Sequence, residues 1–426
     1  MTREERRLRL SIDDQIEHRY LEVPFELPRG ATALEVSLAY DRDAAVIDLG
    51  CRDPERWRGW SGGARSRFVI APHAATPGYE PGELVAGTWA VVLGLHVLPA
   101  DPVDVTVTVA TGVDAGGVAD EADAPPPSSG RAGATRTGRD LPAPAGLTWY
   151  AGDLHAHTTH SDGTLTVAQL TAAAAGRGLD FLAVTDHNTV SHHPHLPGVG
   201  AAYDTCLLPG QEVTTHAGHA NAFGDIGWVD FRRPAARWRA DVEERGGLLS
   251  VNHPVQDDCG WQHPVRTRYL ELWHISWFLD LTATGAWAYL RTLGTRAADL
   301  PVLLGGSDFH TPDQGYPPGT PTTWVAAEDR SPEAVLDGVR QGRTAISRFP
   351  GPGEPALVRV GDDLVALDAD GTVLVGAPVA DDPDGPPGGT GRRQRVRGDR
   401  VVVHAPRERG PYRLEAPDRM LLAVSA

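Results

Sequence analysis

Lysine is missing altogether from this 426-residue chain; all 39 basic residues are arginine, a compositional bias from which no function is read. Cysteine is scarce as well. Cys51, Cys206 and Cys259 are far apart and odd in number, which argues against a disulfide framework, and none stands in a paired metal-binding spacing. Positive charge is in deficit, with a formal net charge of -17, so a phosphate backbone is repelled at long range and extended duplex nucleic acid is not an expected partner. No apolar run approaches a membrane span, and the opening MTREERRLRLSIDDQ lacks the apolar core of a secretory signal. No membrane partner is expected, and the cytoplasm is the expected compartment. Internal repeats are absent too.

What is there divides by texture. At 41% hydrophobic residues the chain reads as globular, and its length suggests two or three domains. Residues 20 to 110 alternate apolar and polar in short runs (Leu34 to Ala39, Ala45 to Leu49, Arg67 to Ile70, Trp89 to Leu95, Val103 to Val109) punctuated by Gly82 and Pro102. That pattern predicts an antiparallel β-sandwich at 1–111. A Gly/Ala/Pro/Ser/Asp-rich stretch at 112–147, including APPPSSG, reads as a linker or long loop.

From 148 to 349 strand-like runs alternate with helical ones, the signature of βα units and a largely parallel sheet. Thr166 and Gln169 form a capping box opening a helix that ends near Gly178, and FLAVT at Phe181–Thr185 follows as a buried strand. Ser331-Pro332-Glu333 starts a later helix that stops near Gly342. Residues 350–426 turn β-like again, with runs at Ala356 to Val360, Leu364 to Leu367, Thr372 to Val375 and Val401 to His404. Between them, 380–399 reads as flexible.

Of the 17 histidines, 13 lie between His155 and His310. Histidine and carboxylate side chains together make the shells of zinc, iron and manganese sites. The pair His155-Ala156-His157 alone proves nothing; position along the chain says more. His155 and His157 follow the run Trp149 to Leu154. His187 follows FLAVT, Glu212 ends LLPGQE, His253 ends LLSVNHP, and Asp308 and His310 end PVLLGGSDFH. In a β/α barrel, residues at the carboxyl ends of successive strands converge on one face. Any one of these histidines could be an ordinary strand-terminal polar residue. The recurrence of a ligand-type residue at the same place in each unit predicts a metal cluster.

Read together, DLHAHTTHSDG, TDHNT, GQEVTT, GHANAF, VNHP and GSDFH resemble the polymerase-and-histidinol-phosphatase (PHP) metallohydrolases, most closely the branch that includes carbaryl hydrolases. The likeness spans about residues 148 to 347, less than half the chain. It implies an α/β fold: a distorted (β/α)7 PHP barrel at 148–349, here flanked by the N-terminal β-sandwich and a small C-terminal β-rich region. It also implies two to three divalent transition metals (zinc, manganese or iron). His155, His157, Glu212 and Asp308 would hold the first, with Glu212 bridging to a second on His219 and His253. Asp162, His187 and His310 would hold the third; Asp162 stands where some relatives carry histidine, and His216 lies near enough to His219 to compete with it.

The implied chemistry is hydrolysis by a hydroxide shared between metals, with Asp308 a ligand and proton acceptor and Glu212 the bridge. His160 beside the first motif is a candidate substrate contact, although a plain loop histidine reads as well. A small phosphorylated substrate is compatible with the acidic chain, since metals bring their own positive charge. Arg268, with Arg266 and Arg348, is a candidate phosphate contact, although exposed arginine is the commoner fate. Trp228, Trp261, Trp273 and Trp277 are candidates for a pocket wall or for plain core. The expected function is a phosphoesterase on a nucleotide or other small phosphoester. A carbamate, ester or amide hydrolase is the second reading, and a non-catalytic metal-binding module the third.

Overall fold

The computed structural model describes residues 2–113, 136–278, 285–294, 299–376, 391–407 and 410–425. The expected linker at 112–147 and the expected flexible stretch at 380–399 lie in large part outside these residues. By contacts the chain forms two units. One comprises Met1–Asp123, His157–Thr166 and Asp186–Pro194; the other comprises Ala124–Ala156, Val167–Thr185 and His195–Ala426.

Among the described residues the first unit has eight strands: β1 (Thr2–Leu10), β2 (Tyr20–Leu27), β3 (Leu34–Ala39), β4 (Val46–Arg52), β5 (Trp57–Gly62), β6 (Arg67–Ile70), β7 (Gly87–Val97) and β8 (Val103–Thr111). They form two antiparallel four-stranded sheets, ordered β1-β8-β3-β6 and β2-β7-β4-β5. Period-2 alternation explains them. Leu34, Val36 and Leu38 point one way from β3, as Val103, Val105, Val107 and Val109 do from β8, and residues of both sheets share one core cluster. Each fully buried Leu or Val contributes about 1.5–3 kcal/mol. A short helix, α1 (Ile12–Glu17), follows β1.

The second unit carries β9 (Thr148–Asp153), α2 (Val167–Gly176), β10 (Phe181–Val184), α3 (Leu196–Tyr203), β11 (Cys206–Thr215), β12 (Gly218–Phe223), α4 (Ala235–Glu244), β13 (Leu248–Val251), β14 (Tyr269–His274), α5 (Gly285–Leu293), β15 (Val302–Gly306), β16 (Thr322–Ala327), α6 (Pro332–Arg340) and β17 (Thr344–Ser347). Then come β18 (Ala356–Val360), β19 (Asp363–Leu367), β20 (Val373–Val375), β21 (Arg393–Arg395), β22 (Arg400–His404), β23 (Tyr412–Glu415) and β24 (Leu421–Ser425). Ser331 caps α6, its Oγ accepting from the Ala334 N–H at 3.2 Å, as the Ser-Pro-Glu start predicts. Part of the stretch expected to be flexible is strand, since β21 pairs with β20.

A closed (β/α)7 barrel is not what the ladders show. They describe one thirteen-stranded sheet, ordered β15-β14-β13-β12-β11-β10-β9-β16-β17-β24-β23-β20-β21. Two parallel triplets, β9-β10-β11 and β13-β14-β15, carry the expected βα character. Strand β12 lies antiparallel between them, and β16 and β17 are antiparallel as well. Helical content is low, the longest described helices having ten residues. Between β15 and the β16–β17 pair, hydroxyls stand in for a ladder. The Gly305 N–H donates to Thr323 Oγ1 at 2.9 Å, and Thr344 Oγ1 donates to the Leu303 carbonyl at 3.0 Å. Among the described residues no helix is long and apolar enough to cross a membrane.

Candidate metal centre

Parallel strands in the second unit end in chemistry. His155, His253 and Asp308 each stand two residues past the last residue of β9, β13 and β15, while Glu212 and His219 sit within the paired strands β11 and β12. Parallel strands that start together end together, so their carboxyl ends deliver these side chains to one place. Glu212 is the focus: its Oε1 lies 3.1 Å from His155 Nε2, 3.3 Å from His219 Nδ1 and 3.4 Å from His253 Nε2. Asp308 Oδ1 lies 3.1 Å from the same His155 Nε2. His155 and Glu212 are wholly buried and His253 nearly so. His253 and Asp308 take positive φ angles, +25° and +48°, costly conformations for residues with a Cβ and a mark of functional sites.

Asp153, at the end of β9, fastens two of these strand ends together. Its Oδ1 accepts from the N–H groups of His155 at 3.1 Å and Ser307 at 3.0 Å, and its Oδ2 accepts from Gly319 N–H at 2.7 Å. Asn252 Nδ2 donates to Glu212 Oε1 at 2.8 Å. His274 Nδ1 accepts from the Ser276 N–H at 3.1 Å, so its proton is on Nε2, which donates to Asp308 Oδ2 at 3.0 Å. On the far side of His253, Nδ1 lies 3.5 Å from Cys259 Sγ. His310 Nδ1 donates to the Asp308 carbonyl at 2.8 Å, which turns Nε2 the other way.

The donor set fits a cation. Three imidazole nitrogens and two carboxylates converge with their lone pairs facing one another, an arrangement that is repulsive unless protons or a metal lie between them. Burial alone would push the His155 imidazole down, but the carboxylates of Asp308, Glu271 and Glu212 outweigh it and hold the group well above its ordinary value. His253 is raised in the same way, burial being outweighed by Cys259, Glu212 and Asp308. Groups with raised folded-state values keep their protons at neutral pH in the metal-free protein, and the stability those protons contribute is lost as pH rises through the folded values. A metal must displace them. Zinc titrated into metal-depleted protein near pH 7 in weak buffer is therefore expected to release protons, and its affinity to rise with pH. An affinity that does not change between about pH 6 and pH 8 would show that these histidines are not ligands.

The first unit holds three other sequence-predicted ligands together. The His157 and His187 rings stack at 4.3 Å between centroids, and His187 Nε2 lies 3.6 Å from Asp162 Oδ1. Behind them Asp186 is wholly buried, accepting from Thr158 N–H at 2.8 Å and from Ser161 Oγ at 2.6 Å, with His192 Nδ1 at 3.2 Å. Burial pushes its carboxyl up, but the imidazoles of His192, His160 and His157 outweigh this and hold it below the usual range.

Two residues expected to meet substrate are engaged elsewhere. His160 is buried, its Nδ1 2.7 Å from Ser191 Oγ. Arg268 is at the start of β14, before its first residue, whereas His274 is at its end, and the guanidinium donates to the Arg340 carbonyl at 2.9 Å. Arg266 likewise donates to a backbone carbonyl, that of Leu293, and Arg348 lies over the rings of Phe278 and Phe349. Trp273 and Trp277 belong to a core cluster, with Trp261 packed against it. Asp153, Asp186 and Asn252 were missed as outer partners. The available signal was their place in GDLHAH, TDHNT and VNHP, one or two residues from a ligand-type histidine, where metal-site histidines and carboxylates find their supports.

No family model matches the chain, and no curated protein does. The solved structures that bear a likeness include three from different bacteria. The first is a two-domain protein from Bacteroides vulgatus described as containing a PHP-like metal-dependent phosphoesterase by prediction. It is 18% identical at a TM-score of 0.37, over 67% of this chain and 97% of that one. The second, from Bifidobacterium adolescentis and assigned as a metal-dependent phosphoesterase, is 17% identical at 0.32, over 44% and 94%. The third is an amidohydrolase from Chromobacterium violaceum with bound sulfate and no metal, 18% identical at 0.28, over 38% and 88%. These scores are too low to carry fold or function, so the functional reading rests on the side chains.

Proposed function

We propose that this protein is a metal-dependent hydrolase of the PHP type, and that its substrate is a small phosphoester such as a nucleotide. The observation that carries this is the ring of lone pairs around Glu212 Oε1, with imidazole nitrogens at 3.1, 3.3 and 3.4 Å and Asp308 joined through His155. His155, Glu212, His219, His253 and Asp308 would hold metal in the second unit; His157, Asp162 and His187 would hold a further ion in the first. When bound, divalent metals acidify water and polarise a substrate oxygen. The protein's own residues supply the rest. Asp308 is the more accessible of the two liganding carboxylates, its side chain 19% exposed against 0% for Glu212, and it takes up the proton released as water attacks. His274 keeps Asp308 Oδ2 occupied by an N–H, which leaves Oδ1 directed toward His155.

A carbamate, ester or amide substrate is the second reading, favoured by one observation. The guanidinium groups of Arg266, Arg268 and Arg348 are engaged by backbone carbonyls or aromatic rings, so they do not supply the cationic clamp that phosphate recognition ordinarily uses. The three cysteines are free thiols, which suits the reducing cytoplasm as the working compartment. Purified protein is expected to carry about two to three transition metals per chain, and the metal-replete form to hydrolyse aryl phosphomonoesters or nucleoside monophosphates faster than aryl carbamates. Faster turnover of the carbamates would select the second reading. Protein without bound metal, and without activity on adding zinc, manganese or iron, would remove both.

A further inference from the structure

Glu271 is a charged residue in the middle of a buried strand. All six residues of β14 (YLELWH) are buried, Glu271 among them at 3% exposure. A carboxylate taken out of water costs several kcal/mol unless hydrogen bonds compensate it. Both of its oxygens are engaged, by groups from two other strand ends. Oε1 lies 2.9 Å from His155 Nδ1, and Oε2 accepts the backbone N–H of His253 at 2.9 Å. The β14–β15 register shifts between Glu271 and Trp273, an irregularity of the kind that re-aims side chains beside functional sites.

Space has been cleared for this contact. A Cβ on Gly306 would meet Glu271 Oε1 at 2.1 Å and His155 Cβ at 2.5 Å, so position 306 admits only glycine while the pair is made. The consequences for the cluster follow from the two hydrogen bonds. A carboxylate at Nδ1 requires the proton there, so Nε2 of His155, which faces Glu212 Oε1 and Asp308 Oδ1, is left as the nitrogen that can bind a metal. The bond to His253 N–H holds that residue's backbone at φ +25°.

We infer that Glu271 is a positioning residue of the metal centre, a single carboxylate that fixes the tautomer of His155 and the backbone of His253 together. This rests on the reading of the cluster as a metal site. Glutamine at 271 has the same shape but one carbonyl oxygen, so it can accept from only one of the two N–H groups and turns its amide against the other.

The test measures cobalt(II) and zinc binding to the metal-depleted full chain and to Glu271→Gln, with the cobalt(II) visible spectrum and the nitrogen-15 shifts of His155 in the zinc form. Glu271→Gln is expected to weaken metal binding by about 10- to 100-fold, to alter the cobalt(II) spectrum and to shift His155 Nδ1. Should it not fold, Glu271→Asp serves, since it keeps the charge but is too short to span both groups; the same loss is expected. Metal bound equally well by the wild-type chain and the folded variant, with the same cobalt(II) spectrum, overturns the positioning role and leaves the metal site standing. A wild-type chain that binds neither ion overturns both.

Discussion

Glu212→Gln is expected to cut turnover by about three orders of magnitude and to release at least one metal, with the fold retained. The substitution keeps the volume and removes the negative charge. It also replaces one acceptor oxygen by an N–H2 group, at a site where imidazole nitrogens already stand at 3.1 to 3.4 Å. Glu212 is wholly buried on β11, its N–H bonded to the Thr185 carbonyl at 3.2 Å, so the backbone holds the position whichever side chain occupies it. In the metal-free state the substitution takes away a carboxylate that favours the charged form of His155 and His253, so unfolding temperature should fall. In the metal-loaded state it should fall as well, because bound ligand stabilises by mass action. Circular dichroism, metal analysis and steady-state kinetics on the same preparation separate these effects. Unchanged turnover would mean that the bridge has been assigned to the wrong residue.

Arg65→Ala is expected to cost about 2 kcal/mol of stability and to remove the metal of the His157, Asp162 and His187 cluster while leaving the other site filled. Arg65 precedes β6 in the sandwich sequence, and its half-buried guanidinium donates to the carbonyls of Thr159 and Ser161, the latter at 3.0 Å. Those carbonyls flank His160 and lead directly into Asp162. The Gly78 N–H donates to Ser191 Oγ at 3.1 Å, and its carbonyl accepts from Thr189 Oγ1 at 3.0 Å, which ties down the segment after His187. A Cβ at Gly78 would meet the His160 and Trp60 carbonyls at 2.8 Å, so no other residue fits there. Arg65→Lys keeps the charge but lacks the planar fork that serves two carbonyls at once, and should restore only part of the loss. Metal stoichiometry that stays at the wild-type value in Arg65→Ala would show that the segment holds its shape without this anchor.

Some elements could be read directly from the residues. Strands β3, β6 and β18 fall on the runs Leu34 to Ala39, Arg67 to Ile70 and Ala356 to Val360, because each has apolar residues packed in a core and turn residues near its ends. Strand β1 could not be found that way. TREERRLRL has almost no buried face, being an edge strand whose side chains are mostly exposed, so the alternation that betrays a strand is missing. Its pairing with β8 is a backbone fact that side-chain pattern does not encode.

The candidate ligands were legible because metal chemistry admits few residue types and strand ends recur: His155, His253 and Asp308 announce themselves as polar residues closing apolar runs. By itself the sequence determined which side chains can donate lone pairs, and that His155, His253 and Asp308 follow strands. Only the tertiary structure decided how they are grouped. It gathered His155, His219 and His253 around one oxygen of Glu212, with Asp308 joined through His155, and it packed His157, Asp162 and His187 with the N-terminal strands. It also gave Glu271 its partners, which lie 116 and 18 residues away along the chain. The physical reason is that ligand type is a property of a single residue, whereas hydrogen-bond direction and tautomer depend on where distant strands end, and local sequence carries no record of that distance.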